Sequence, residues 1–268
     1  MTYFTTNQQY PLGIDLSVYN CSADGCRKPN FDLIAAHQPA VEFIAMRAGQ
    51  SWGYSDPAFP YYLAEAQRIG VCILPYHVVF PGESARRQMD SLLCILAGVD
   101  LDSVRLVLDM ELDHNQTRSK ITQTLSECLR ILQAETERLP LVYSRASWVN
   151  EHLSVRDLPE LDWWLAQYLA RRSYPAYTPE FPCPPRLPEG VSAWRIHQTA
   201  ERAPAIGGSG WYMDYDRWNG SHAELLAYFG REEKQPALAC PLDGSPCPRS
   251  DIQLNPALVD QPFGMEII

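Results

Sequence analysis

The chain has 268 residues, with 22 Lys and Arg against 32 Asp and Glu, for a formal net charge of −10. That balance argues against a nucleic-acid binder, which needs a basic face. The N-terminus, MTYFTTNQQYPLGIDLS, has no basic start followed by an apolar run, so no signal peptide is expected. No apolar stretch approaches the roughly 18 residues of a membrane span. The expectation is a soluble monomer with no membrane partner, reaching any external substrate only after release by another route.

With 46% hydrophobic residues, a sizeable core is within reach, and the length suits a single α/β barrel. Short apolar runs alternate with longer helical patterns. LGIDLS (12–17) predicts a strand and PNFDLIAAHQ (29–38) a helix. VEFIAMRAG (41–49) is a strand, and 56–70 is a helix that Asp56 can cap and Gly70 can end. A strand at 71–79, a helix at 84–97, a strand at 104–111, a helix at 119–138 and a strand at 139–145 follow. Three more strands, at 161–168, 192–199 and 210–216, are separated by loops, and a helix at 222–229 closes the unit. Repeated strand–helix alternation favours a parallel sheet covered by helices. Eight strands would close a (β/α)8-type barrel lacking its later helices. An open doubly wound sheet competes, but no glycine-rich phosphate loop follows the first strand.

Residues 1–230 therefore read as one domain, and 231–268, richer in Pro and polar residues, as an irregular extension. None of the eight cysteines forms a CxxC pair, which disfavours structural zinc. Cys72, Cys94 and Cys128 lie in apolar patterns and read as reduced core residues. Cys21 with Cys26, and Cys240 with Cys247, sit in loop-like sequence at spacings that allow short disulfides.

In a barrel the strand C-termini build the active site. By that rule Asp15, Tyr76, His77, Asp109, Glu111, Tyr143, Tyr168, Gln198 and Asp214 converge on one rim. Each has a bland reading: an isolated Asp is more often a turn or cap residue, a strand Tyr more often core. His77 reads as a hydrogen-bonded barrel residue, and Asp216 as structural. VRLVLDMELDH (104–114) is harder to explain blandly, because strand alternation sends Asp109 and Glu111 to one face. Two crowded carboxyls separate in pKa, the arrangement a glycosidase needs for acid catalysis. Three or four acids could instead hold Mg²⁺.

GIDLS (13–17), LPYHVV (74–79), LVLDMEL (106–112), LVYSR (141–145), WWLAQY (163–168), HQT (197–199) and MDYDRWNG (213–220) stand in an order and spacing that resemble glycoside hydrolase family 25. The resemblance implies a single modified TIM-type barrel, (β/α)5(β)3. Its activity would be that of a lysozyme, cleaving the β-1,4 bond between N-acetylmuramic acid and N-acetylglucosamine in bacterial peptidoglycan, with no metal or organic cofactor. By motif, Glu111 matches the general acid and Asp109 its partner, which orients the substrate N-acetyl group. Asp15 and Asp214 match the remaining acids, and Tyr76, Tyr143, Tyr168 and Gln198 the groove lining. Asp109 is expected to be the ionised member of the pair. VYNCSADGC after GIDLS, and Pro75 before Tyr76, depart from the family pattern beside the groove. A non-catalytic glycan-binding module on the same barrel is the alternative.

Overall fold

The computed structural model describes residues 10–22, 27–169, 183–208 and 212–232. The chain divides between Glu232 and Glu233, and the second unit lies wholly outside the described residues. So do Cys26 and the Cys240–Cys247 pairing, and with them most of the expected extension.

Nine strands form the sheet: β1 (Leu12–Leu16), β2 (Val41–Gln50), β3 (Tyr54–Ser55), β4 (Cys72–Val78), β5 (Val107–Asp109), β6 (Leu141–Ser144), β7 (Trp163–Ala166), β8 (Ile196–Ala203) and β9 (Met213–Trp218). Their order is β1-β9-β8-β7-β6-β5-β4-β2, and pairing of β1 with β2 closes the ring into an eight-stranded barrel. The open doubly wound arrangement is thereby excluded. β3 folds back antiparallel on the end of β2, outside the ring. β1, β2 and β4–β8 run parallel, but β9 is antiparallel to both of its neighbours, β1 and β8. A strand after a short connection, with no crossover helix, has to return in the opposite sense.

Alternation separates two apolar layers. Phe43, Leu74, Val107, Leu141, Trp164 and Ile196 belong to one cluster, which fills the barrel interior and continues onto Leu225 and Phe229. The outward-facing residues, among them Ile14, Ile44, Leu108, Val142 and Leu165, form the larger cluster beneath the helices. Phe43 takes so much of the interior that a Cβ on Gly13 would lie 2.1 Å from its ring. Only glycine fits there.

The helices are α1 (Phe31–Ala35), α2 (Phe59–Ile69), α3 (Ala85–Ile95), α4 (Arg118–Thr136), α5 (Ala146–His152) and α6 (His222–Tyr228). Local chemistry sets their ends. Asn30 accepts from Asp32 and Leu33 N–H, and Ser84 and Thr117 cap α3 and α4. Gly70, at φ 78°, ends α2, and Ser221 with Glu224 forms a capping box on α6. Asp56 accepts from Ala58 N–H just ahead of α2. The seven-residue α5 falls in a stretch that the periodicity left without a helix. Two strands also shift: β8 continues to Ala203 and β9 starts at Met213, displaced from the expected 192–199 and 210–216.

Candidate active site

Asp15 lies near the C-terminal end of β1, and its register partner on β9 is Asp214. Asp214 is the second residue of β9. Its expected place was a strand's C-terminal end, yet it reaches the same rim because β9 runs the other way. Asp109 is the last residue of β5, opposite Val78 of β4 and Tyr143 of β6. Glu111 follows two residues later, half-buried, with its Oε2 3.7 Å from Arg145 Nη2.

Gln198 ties the acids together. Its Nε2 donates to Asp15 Oδ2 at 2.6 Å and to Asp214 Oδ2 at 3.3 Å, while its Oε1 accepts from Tyr143 Oη at 2.9 Å. One amide thereby uses both ends, a satisfied arrangement for a buried side chain. Tyr143 packs edge-on against Trp164 at 4.9 Å, and Tyr76 meets the same indole at 6.3 Å. Tyr168, beside Tyr143, is 40% exposed. The eight expected site residues thus gather at one end of the barrel.

Burial dominates the electrostatics. It raises the Asp15 carboxyl to about 6, against the opposing hydrogen bonds from Gln198 and Asp214. It raises Asp214 to about 10, reinforced by the charge of Asp15. Asp109 is pushed well above the usual carboxylate range by burial first, then by Glu111 and Asp15. Burial thus opposes the ionised form expected of Asp109. The reason is position. Asp109 ends the strand inside the mouth, where water cannot solvate an anion.

His77 and His197 point away from the acids, one residue out of phase with Tyr76 and Gln198, and burial lowers both to about 4. Asp216 faces inward beneath the cluster, where its Oδ1 accepts from Trp164 Nε1 at 2.8 Å. Among the described residues no group of three or more His, Cys, Asp or Glu side chains is arranged to hold a metal ion. The divergent segment after β1 begins as a 3-10 turn, Val18–Asn20, closed by a Ser17–Asn20 capping box; residues 23–26 lie outside the described part.

One residue escaped the sequence reading. Arg47, on β2, shares the inward phase of Phe43 and Ala45 and is paired with Tyr76 in register. Its Nε donates to Asp56 Oδ2 at 2.7 Å. A lone Arg in VEFIAMRAG signals nothing by itself, since its partner comes from the next loop.

The chain matches the family model for glycosyl hydrolases family 25 over residues 14–207. It is 26% identical over 190 residues to the uncharacterised protein YegX of Escherichia coli K12, an alignment covering 70% of this chain and 63% of YegX. The chain thus spans under two thirds of that relative's length. Three solved structures share the fold. A bacterial lysozyme from Streptomyces coelicolor superposes with TM-score 0.63 at 20% identity, covering 81% of this chain and 95% of that one. A family 25 glycosyl hydrolase from Bacillus anthracis gives 0.65 at 15%, with 87% and 96% covered. A muramidase from Acremonium alcalophilum gives 0.65 at 20%, with 82% and 98% covered. With a family model matched over most of its length, on a closed barrel of this family's kind, the chain belongs to glycosyl hydrolases family 25.

Proposed function

We propose that this protein is a muramidase-type peptidoglycan hydrolase that cleaves the β-1,4 bond between N-acetylmuramic acid and N-acetylglucosamine, with Glu111 as general acid. The observation that carries the reading is the contrast between the two carboxyls of the Asp109–Glu111 pair. Glu111 is half-buried at the mouth, within reach of a bound glycan, whereas Asp109 Oδ1 is buried with no hydrogen-bond partner among the described residues. An unpartnered buried oxygen is costly unless a ligand satisfies it. The amide N–H of a 2-acetamido sugar is a suitable donor.

In this mechanism Glu111 protonates the leaving glycosidic oxygen. Asp109 Oδ1 accepts from the amide N–H and holds the acetyl oxygen against the anomeric carbon. Asp15 and Asp214, bridged by Gln198, form the polar wall, while Tyr76, Tyr143 and Tyr168 offer flat faces to sugar rings. Internal attack by the acetyl oxygen followed by water gives net retention. Incubation with purified peptidoglycan, with assay of new reducing ends and mass spectrometry of the fragments, tests the reading. Muropeptides ending in N-acetylmuramic acid, released equally with and without EDTA, support it. Failure to release reducing ends from any wall preparation overturns it.

A further inference from the structure

Among the described residues six large hydrophobic side chains are exposed, and four of them stand at the barrel end that holds the acids. Tyr19 follows β1, Trp52 follows β2, Tyr168 follows β7, and Tyr212 precedes the antiparallel β9. All four are aromatic, whereas the other two, Leu33 and Leu187, are aliphatic. Apolar side chains scattered singly over a surface call for no explanation, but a grouping around one mouth does. The strand order gives the grouping a direction. β9, β1 and β2 are consecutive in the closed ring, so Tyr212, Tyr19 and Trp52 form an arc along one side of the mouth. Tyr168 stands across from that arc, because β7 and β2 are four places apart either way round the ring.

The arc is braced by its neighbours. Asn20, beside Tyr19, donates from Nδ2 to the Tyr212 carbonyl oxygen at 3.3 Å, which joins the ends of β1 and β9. The Arg47 guanidinium carbon lies 5.0 Å from the Tyr19 ring and 5.6 Å from the Tyr54 ring, bridging the turn after β1 and the β2–β3 hairpin. Trp52 stands on the same hairpin, and the Arg87 guanidinium of α3 sits 3.8 Å over its ring. Tyr19 is nevertheless 78% exposed, Tyr212 67% and Trp52 47%. Rings braced in this way lose little further freedom when a ligand lies on them. Each pairs a flat apolar face with a hydroxyl or N–H at its edge, which suits a partner that presents C–H faces and hydroxyls together.

We propose that Tyr212, Tyr19 and Trp52 form a remote glycan platform, which binds sugar units beyond those at the scissile bond and makes the enzyme prefer long strands to short ones. The proposal rests on the muramidase reading above for the nature of the strand. Continuity with the acids identifies the occupant. Tyr212 shares the start of β9 with Asp214, and Tyr19 lies in the turn directly after the strand that carries Asp15. A strand that reaches those carboxyls therefore runs onto the arc. One that enters past Tyr168 crosses the acids and leaves over Trp52, on the far side of the mouth.

The test compares Tyr19→Ala/Trp52→Ala/Tyr212→Ala with the triple Phe variant at the same positions, the three single Ala variants serving if the triple fails to fold by circular dichroism. The probes are peptide-free strands of alternating N-acetylglucosamine and N-acetylmuramic acid, one a tetrasaccharide and one a long polymer. Affinity is measured by calorimetry in the Glu111→Gln background, and kcat and KM in the active one. The Ala variant should lose about tenfold or more in affinity for the polymer, the scale of removing aromatic anchors from a binding surface. Its loss on the tetrasaccharide should be several times smaller, and the change in turnover should fall on KM rather than kcat. The Phe variant, which keeps the flat faces, should retain most of the polymer affinity. Equal losses on both probes, no loss on the polymer, or a Phe variant as weak as Ala overturns the proposal. So does a concentration-dependent dimer in sedimentation that the Ala variant abolishes, which would make the arc a contact between copies of this chain. If wild type cleaves neither probe, the muramidase reading fails, while the calorimetry still decides whether the arc holds glycan.

Discussion

Asp15 and Asp214 sit directly opposite each other across the antiparallel seam between β1 and β9, and a single Gln198 amide donates to both. Two carboxyls at that spacing cannot both be ionised cheaply, and they share a hydrogen bond that leaves the proton on Asp214.

The pH dependence of stability follows from that proton. Unfolded, Asp214 titrates near 3.8; folded, at about 10. Its contribution to stability is complete below about pH 4 and is lost progressively as the pH rises towards 10, because the unfolded chain releases a proton that the folded chain keeps. Asp214→Asn removes this loss and retains a donor for Asp15. Thermal unfolding at pH 5 and pH 9 should therefore show a smaller drop in melting temperature for the variant than for wild type. Equal drops would mean that Asp214 is not the proton carrier.

Gln198→Ala strips Asp15, Asp214 and Tyr143 of a common partner. Leaving buried polar atoms unpaired costs about 1–3 kcal/mol. Urea unfolding should report a loss in that range, together with reduced turnover. A loss below about 0.5 kcal/mol would imply that water replaces the amide.

Glu111→Gln should fold as wild type does, since the side chain is half-exposed. Its activity on peptidoglycan should fall by about 10²–10⁴, because an amide cannot protonate the leaving oxygen. Reducing-end assays within a few-fold of wild type would transfer the acid role elsewhere.

Gly13→Ala should destabilise by about 1–3 kcal/mol, as overpacking does, since the new methyl collides with the Phe43 ring. Phe43→Leu in the same chain should recover part of the loss. A double-mutant cycle with no coupling would place the strain elsewhere.

Much of this fold was legible in one dimension. Short apolar runs located the eight barrel strands, and strand alternation put Asp109 and Glu111 in phase; it was the structure that turned His77 away from Tyr76 and the rim. Capping chemistry at Gly70 and near Asp56 marked the ends of α2. The short α5 was not legible, because two turns of helix give too little periodicity to stand out.

The sequence by itself determined which residues face inward, and hence which acids are available, because side-chain direction follows from local backbone geometry. The tertiary structure decided the rest. The sense of β9 is invisible in its alternation, which reads the same in either direction, so only the sheet could show that Asp214 meets the other acids from a strand's beginning. Depth in the mouth decided the upward shift of the Asp109 carboxyl, since burial is a property of the closed barrel. The joining of Arg47 to Asp56 depended on the β2–β3 hairpin turning the chain back across the rim.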